Sequence, residues 1–320
     1  LLFYLIIPFI GIHAQESFRT DITYQPDEYW WGGVVAYGSS MPYIQPISQF
    51  DLALQNNNNQ VTPFFLSSKG RFVWSNYPFK FEVKEQSIVI VSGFEKVDVQ
   101  QGGSTLKEAY LAACNKYFPP SGDLPDPLFF TMPQYNTWIE LMYNQNQDDI
   151  MKYAQSIVDN KFPKGVLMID DNWQRYYGNF EFKGEKFSDP KGMVDKLHEM
   201  GFKVMLWVCP FVSPDSPEYR ELSGKGYLIK RKHSGSPAII HWWNGQSACY
   251  DFTNPAALEH YVSLLKKVQS EYGIDGFKFD AGDNSFYNPN YIDSYKKDAL
   301  SVDHTTAWAK IGLNFPFNEY

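Results

Sequence analysis

The sequence predicts the first part of an α/β barrel, preceded by a domain of antiparallel strands. Beyond residue 128, short apolar runs alternate with stretches of helical pattern, which is typical of a parallel sheet or barrel. In one such unit a helical run stops at Gly273, and the apolar run 277–280 then ends on the carboxylate of Asp280. Barrel strands present polar side chains at their carboxyl ends in this way. Between residues 18 and 115, apolar and aromatic runs instead alternate with turn residues, which indicates antiparallel strands.

The first 16 residues resemble part of a secretory signal peptide. An apolar stretch ends at the small residue Ala14 and is followed by polar Gln15 and Glu16. The stretch is short for a membrane span, and it lacks an initiator Met and a basic start, so we expect only part of a leader. A buried first strand is the alternative. We expect an exported protein, periplasmic, at the cell surface or extracellular, with no membrane association beyond export.

The amino-acid composition limits the classes of molecule that the chain is expected to bind. Of the 320 residues, 44% are hydrophobic, which is enough for packed cores, and the formal charge of −8 argues against a nucleic-acid partner. Aromatic residues make up 18%, and their rings can stack on the apolar faces of sugars or fill a β-rich core. The three cysteines form neither a disulfide framework nor a zinc-ligand pattern.

The antiparallel domain is predicted over residues 17–120. Its clearest strands are 72–74, 79–83 and 87–91, which are separated by Gly, Asn, Ser and Pro. The Pro-rich segment 118–127 is typical of a linker. Residues 121–320 are therefore assigned to the first part of the barrel.

Four βα units are predicted in the second domain. The predicted strands are 128–132, 165–169, 203–209 and 277–280, and the predicted helices are 148–159, 189–200 and 255–272. A doubly wound sheet is the competing fold, but no Gly-rich phosphate or dinucleotide loop follows any strand. The barrel is therefore favoured. Only 40 residues follow Asp280, too few to close eight strands, so we expect a chain truncated at its C-terminus.

Acidic and aromatic side chains lie where the predicted strands end. Asp170 and Asp171 close the second strand and Asp280 closes the fourth, so all three should meet at one rim. Carboxylates can bind sugar hydroxyls while indole rings stack on the sugar. The structural alternative is that the acids cap the following segments and the indoles fill the core. The candidate indoles are Trp173, Trp207, Trp242 and Trp243.

Lys278 lies two residues before Asp280, so in a regular strand both side chains point to the same face. A buried lysine needs a partner or a ligand, and a cation beside a carboxylate keeps it ionised, as a nucleophile requires. A structural ion pair is the alternative. The chain carries no motif of the other kinds of site considered. It has no H-E-x-x-H zinc motif, no G-x-S-x-G motif for a serine nucleophile and no calcium-loop spacing. We expect no essential metal and no cofactor.

Taken together, these motifs resemble those of the family 31 glycoside hydrolases, which are retaining α-glycosidases with a β-sandwich before the barrel. The resemblance covers nearly all of the chain after the leader. It rests on Asp170-Asp171, Trp207 with Pro210, the segment 243–245 leading to 251–255, and 277–280.

The resemblance implies a role for each candidate residue. Asp280 would be the nucleophile, and Asp170 and Asp171 would hold sugar hydroxyls. The sugar site would also be lined by Trp207, Trp243 and Lys278. The reaction implied is hydrolysis of O-glycosyl bonds in α-linked glycosides by double displacement, with an oligosaccharide or glycoside as substrate.

The chain departs from the family pattern in two places. The segment 278–283 is similar to the α-galactosidase-like branch rather than to starch-type members, which favours α-galactosides over α-glucosides. The family's acid/base Asp follows the nucleophile by some tens of residues, and nothing between 291 and 320 matches it, because Asp293, Asp298 and Asp303 fall in a predicted helix. We therefore expect the acid beyond Tyr320 and the chain as given to be inactive. A non-catalytic exported carbohydrate-binding protein is the alternative.

Overall fold

The computed structural model of the chain describes residues 17–55 and 59–320, so the predicted signal peptide lies outside the described residues. The described chain divides into two compact units between Pro119 and Pro120. No helix in this part of the chain is long and apolar enough to cross a bilayer.

The N-terminal unit contains two antiparallel sheets of four strands, ordered β1-β7-β6-β3 and β2-β4-β5-β8. Apolar side chains from both sheets, among them Trp30, Phe65, Phe81 and Ile90, share one buried cluster. This arrangement is compatible with the predicted β-sandwich. The elements are β1 (Phe18–Thr23), β2 (Trp30–Val34), β3 (Ile47–Asp51), β4 (Val61–Ser67), β5 (Arg71–Trp74), β6 (Lys80–Lys84), β7 (Ser87–Ser92), β8 (Val99–Gln101) and α1 (Leu106–Tyr117).

The sequence predicts antiparallel strands up to residue 115. This prediction is wrong for the last of these residues, which belong to helix α1. A capping box starts the helix, since the Thr105 hydroxyl accepts the backbone N–H of Glu108 and the Glu108 carboxylate accepts that of Thr105. Ala109 and Ala113, one turn apart, pack on Phe72. This i, i+4 pair is a helical pattern that the surrounding strand pattern concealed.

The second unit is built on a sheet of five parallel strands, ordered β9-β10-β11-β16-β18. Its elements are α2 (Leu128–Thr131), β9 (Gln134–Asn136), α3 (Trp138–Leu141), α4 (Gln147–Asp159), β10 (Val166–Ile169), α5 (Pro190–Glu199), β11 (Lys203–Val208), β12 (Phe211–Val212), α6 (Pro217–Lys225), β13 (Lys230–Arg231), β14 (Ile240–Trp242), β15 (Gly245–Cys249), α7 (Pro255–Tyr272), β16 (Gly276–Phe279), β17 (Ile292–Asp293), α8 (Ser301–Ile311) and β18 (Phe317–Glu319).

The sheet is buried on both faces, as a half-barrel requires. Leu167 and Leu206 face one way, into the cluster that contains residues of α4, α5 and α7, while Met168 and Met205 face a second cluster. Strands that are buried on both sides read as continuous apolar runs. The predicted second, third and fourth strands and all three predicted helices agree with the structure for this reason.

The predicted first strand, 128–132, is wrong. Those residues form the short helix α2, and the strand is β9. Leu128 and Phe129 pack against the cluster that contains Met168 and Phe317, so their apolar character serves to cover the sheet. By contrast, β9 has the sequence Gln-Tyr-Asn, which carries no apolar run.

The sequence predicts one helix that contains Asp293, Asp298 and Asp303, and the structure differs from this prediction. Asp293 lies on β17, Asp298 lies in a turn with φ 54°, and only Asp303 lies in a helix, α8. After α8 the chain adds β18, a fifth parallel strand beside β16. The parallel sheet therefore contains one strand more than the sequence predicted.

Between β11 and α7 the chain leaves the barrel sheet. Strands β12, β15 and β14 form a small antiparallel sheet, and β13 pairs with β17. Trp207 at the end of β11 packs in one buried cluster with Phe211, Trp242 and Tyr287. The excursion is thus attached to the carboxyl end of the barrel sheet, where the candidate site lies.

Candidate active site

Asp280 follows β16 directly, and its carboxylate is held from two sides. The indole Nε1 of Trp207 donates to Oδ2 at 2.7 Å, and the backbone N–H of Ala281 donates to Oδ1 at 2.8 Å. Ala281 has φ 60°, an unfavourable conformation for a residue with a Cβ, and it turns the chain sharply after the carboxylate. The Asp280 side chain stays 38% exposed. It is therefore both oriented and accessible.

Lys278 lies between two carboxylates. Its Nζ is 3.0 Å from Oδ2 of Asp170 and 3.8 Å from Oδ2 of Asp280. Burial opposes the charge on this ammonium, but the attraction of Asp170 and Asp280 prevails and the pKa of Lys278 is raised. The structure thus places Lys278 and Asp280 on one face, as the strand period requires, and ties both to the end of β10.

Asp170 is buried and bound by protein donors. Besides Lys278, the Nδ2 of Asn136 donates to Oδ2 at 2.8 Å, and the backbone N–H of Asp171 donates to Oδ1 at 2.8 Å. These contacts connect the ends of β9, β10 and β16. In this structure the contacts of Asp170 position Lys278. The role predicted for Asp170, binding of sugar hydroxyls, stays a prediction.

Asp171 is also buried, and it anchors the turn between β14 and β15. Its Oδ1 accepts the Tyr177 hydroxyl at 3.1 Å, and its Oδ2 accepts Nδ2 of Asn244 at 2.5 Å. Asn244 also accepts the Tyr143 hydroxyl at 2.6 Å. Because Trp243 precedes Asn244, the Asp171 carboxylate fixes the turn that carries this tryptophan. Burial raises the pKa of Asp171 to about 6.

This shifted pKa predicts a pH-dependent stability. Between the ordinary pKa of 3.8 and about 6, the folded chain keeps a proton on Asp171 that the unfolded chain has lost. The contribution of Asp171 to the free energy of unfolding therefore falls as the pH rises through this window, by about 3 kcal/mol in total. Urea unfolding of the chain and of Asp171→Asn should show a stability difference that changes by this amount between pH 4 and pH 7. A difference independent of pH would contradict the assignment.

The four candidate tryptophans divide by exposure. Trp173 and Trp242 are buried, which agrees with the core-filling alternative for these two. Trp207 is 1% exposed and acts on Asp280 through its N–H. Trp243 is 55% exposed, with ring contacts to Trp242 at 5.2 Å and to Phe286 at 6.1 Å. Trp243 is the tryptophan of this set that offers a free ring face to a ligand.

Four residues of the site were not among those predicted from the sequence: Asn136, Tyr177, Asn244 and Glu319. Glu319 ends β18 and pairs in register with Lys278 on β16, so both occupy the same level of the sheet. Burial, assisted by Asp170 and Asp280 and opposed by Lys278, raises the pKa of Glu319. The available signal was a polar residue at a strand end, but Asn136 and Glu319 lie on the two unrecognised strands.

No group of three or more His, Cys, Asp or Glu side chains in residues 17–55 and 59–320 could hold a metal ion. The site that the structure does contain is a set of carboxylates around one ammonium. Asp170, Asp280 and Lys278 are joined directly, Glu319 lies beside them on the next strand, and Asp171 supports the wall that bears Trp243. A nucleophilic carboxylate at such a rim can attack a carbon that carries a leaving group.

Comparison with known proteins finds a match to the family model described as "Glycosyl hydrolases family 31 TIM-barrel domain" over residues 130–314, more than half of the chain. The myogenesis-regulating glycosidase of Mus musculus is 32% identical over 194 residues, which cover 61% of this chain and 27% of the relative. An α-xylosidase of Emericella nidulans is 30% identical over 241 residues, which cover 72% of this chain and 30% of the relative. The chain thus spans less than a third of either relative.

Among solved structures, a dextranase of Flavobacterium johnsoniae complexed with glucose superposes with a TM-score of 0.76 at 19% identity. The match covers 92% of this chain and 38% of the dextranase. At this identity the likeness shows the fold alone.

Proposed function

The chain belongs to glycosyl hydrolase family 31, and we propose that its half-barrel site cleaves α-linked glycosides by a retaining double displacement. The observation that carries the proposal is Asp280, an accessible carboxylate at the end of a barrel strand, oriented by Trp207 and Ala281 and next to the Lys278 ammonium. Relatives of the family are glycoside hydrolases, which supports the reaction class.

The proposed reaction has two steps. A carboxylate oxygen of Asp280 attacks the anomeric carbon, the bond from that carbon to the leaving-group oxygen breaks, and the leaving group takes a proton from a carboxylic acid. None of the site residues described above is assigned as this acid, so a leaving group that needs a proton should scarcely react with the chain as given. Water then attacks the same carbon and gives one proton to the conjugate base of that acid, the bond to Asp280 breaks, and the sugar is released with its configuration retained. In the first step the residues around Asp280 fix the direction of attack, because both carboxylate oxygens are engaged by donors.

The sugar is a second part of the proposal. The segment 278–283 favours an α-galactoside, and an α-glucoside is the other sugar that the sequence analysis retained. The Emericella nidulans relative is an α-xylosidase, which adds an α-xyloside as a third candidate. We propose an α-galactoside and include the other two sugars in the test. We also propose export, for which residues 1–16 are the support.

The test uses substrates that need no proton donor. Fluoride leaves without protonation, so α-galactosyl, α-glucosyl and α-xylosyl fluoride separate attack by Asp280 from acid catalysis. We expect the chain to release fluoride fastest from the galactosyl compound, in a burst of about one equivalent if no base activates water. Azide, which attacks without a base, should then sustain release and give the α-glycosyl azide. Release from all three at the rate in buffer alone would contradict the proposal.

A further inference from the structure

An open cavity lies beside the barrel mouth, between the turn that follows β13 and the loop that follows Asp280. Its volume is about 840 Å³. Its lining contains two basic side chains, Arg231 and Lys232, and two imidazoles, His233 and His241. No Asp or Glu among the described residues lines it. The chain as a whole has a formal charge of −8, whereas this lining is positively charged. The lining therefore favours an anionic ligand.

Arg231 is held by the backbone and not by an acid. Its N–H donates to the carbonyl of Ser236 at 2.7 Å, and the residue pairs with Ile292 across β13 and β17. Across residues 17–55 and 59–320 its guanidinium enters no salt bridge. A guanidinium fork that is free of protein carboxylates can bind a ligand carboxylate or sulfate through two parallel hydrogen bonds.

Lys232 connects the two walls of the cavity. Its Nζ donates to the carbonyl of Pro289 at 2.8 Å, and its N–H donates to the carbonyl of Tyr291 at 2.9 Å. The loop that follows Asp280 is thereby tied to the turn that directly follows Arg231. The cations and the opposite wall are therefore held at a fixed separation, which limits the ordering cost of binding.

The opposite wall supplies aromatic faces. Tyr291 is 71% exposed, and Phe286 lines the cavity while its ring contacts Trp243 at 6.1 Å. Flat, exposed rings next to a few polar groups are suited to a sugar ring. Asn288 and Asn290 on the same wall provide donors and acceptors for hydroxyl groups.

We propose that this cavity binds a saccharide unit that carries an anionic group, a carboxylate or a sulfate ester, with the anion on Arg231 and the sugar ring against Tyr291. This binding does not depend on attack by Asp280. The cavity adjoins the turn that bears Trp243, so an anionic saccharide held here lies next to the proposed sugar site.

The experiment measures binding by calorimetry with three disaccharides that share one linkage: one ending in glucuronate, one in glucose 6-sulfate and one in glucose. We expect at least one anionic disaccharide to bind about tenfold or more tightly than the neutral one, with a preference that weakens as salt is added. The tighter of the two anionic ligands identifies the group that is recognised. Equal binding of all three, or of none, overturns the proposal.

Three variants make the test specific to Arg231. Arg231 is an exposed residue of the short strand β13, and Arg231→Ala should remove the anionic preference. Arg19→Ala removes the same charge from the exposed strand β1 of the other unit and should leave the preference unchanged. Asp280→Asn should also bind normally, so a failure of the proposed hydrolysis would leave this result intact. A preference that survives Arg231→Ala contradicts the proposal, provided that circular dichroism shows both arginine variants to be folded.

Discussion

Replacing Asp280 with asparagine should reduce fluoride release from the reactive glycosyl fluoride by about 10⁴-fold or more. The amide cannot form the glycosyl ester, and removal of a nucleophile costs an effect of this order. The variant should still fold, because the amide oxygen can accept the N–H of Trp207 and the 38% exposed position lets water receive the N–H of Ala281. Fluoride release under single-turnover conditions measures the loss.

The matched control is Asp298→Asn. Asp298 is exposed, lies in a turn with φ 54°, and asparagine tolerates that conformation as well as aspartate does. This variant removes the same charge from the same region and should keep the full rate. If Asp280→Asn releases fluoride as fast as Asp298→Asn, Asp280 is not the nucleophile.

Replacing Lys278 with methionine should destabilise the barrel unit by about 3 kcal/mol, at the lower end of the cost of breaking a buried ion pair. The reason is Asp170, whose side chain is 4% exposed and would lose its ammonium partner. The Lys278 side chain is 23% exposed, so water replaces part of the lost interaction. Hydrogen exchange of the amides in β10, β11 and β16 measures this loss within the barrel unit.

The double variant Lys278→Met, Asp170→Asn separates charge from packing. The buried charge is gone, and the amide oxygen can still accept Nδ2 of Asn136, so most of the lost stability should return. Fluoride release should be low in the single variant and in the double variant, because both lack the ammonium beside Asp280. A single variant as stable as the original chain would show that Lys278 is not the counterion of Asp170.

The parts of the fold that the sequence predicted are those whose apolar residues follow the geometry of their own element. β10, β11 and β16 are buried on both faces and read as apolar runs, and α4, α5 and α7 have regular caps. β9 and β18 have three residues each, at the two edges of the sheet, and both contain polar side chains. Their pairing depends on neighbouring strands, which no local pattern encodes.

The site divides in the same way. The meeting of Asp170, Lys278 and Asp280 follows from strand ends and a period of two, so it could be anticipated. The partners of Asp171 could not, since Asn244 lies 73 residues away on a turn outside the barrel sheet. Tertiary packing alone brings that turn to Asp171 and presents Trp243.

If Asp280 is the nucleophile, it becomes bonded to the sugar, and mass mapping of the trapped chain detects this bond. A glycosyl fluoride with a second fluorine at C5 slows release of the sugar, so the ester should accumulate. After proteolysis, we expect one added glycosyl mass on the peptide that contains Asp280, and no added mass in Asp280→Asn. A chain that stays unlabelled, or a label on another carboxylate such as Asp171 or Glu319, would contradict it.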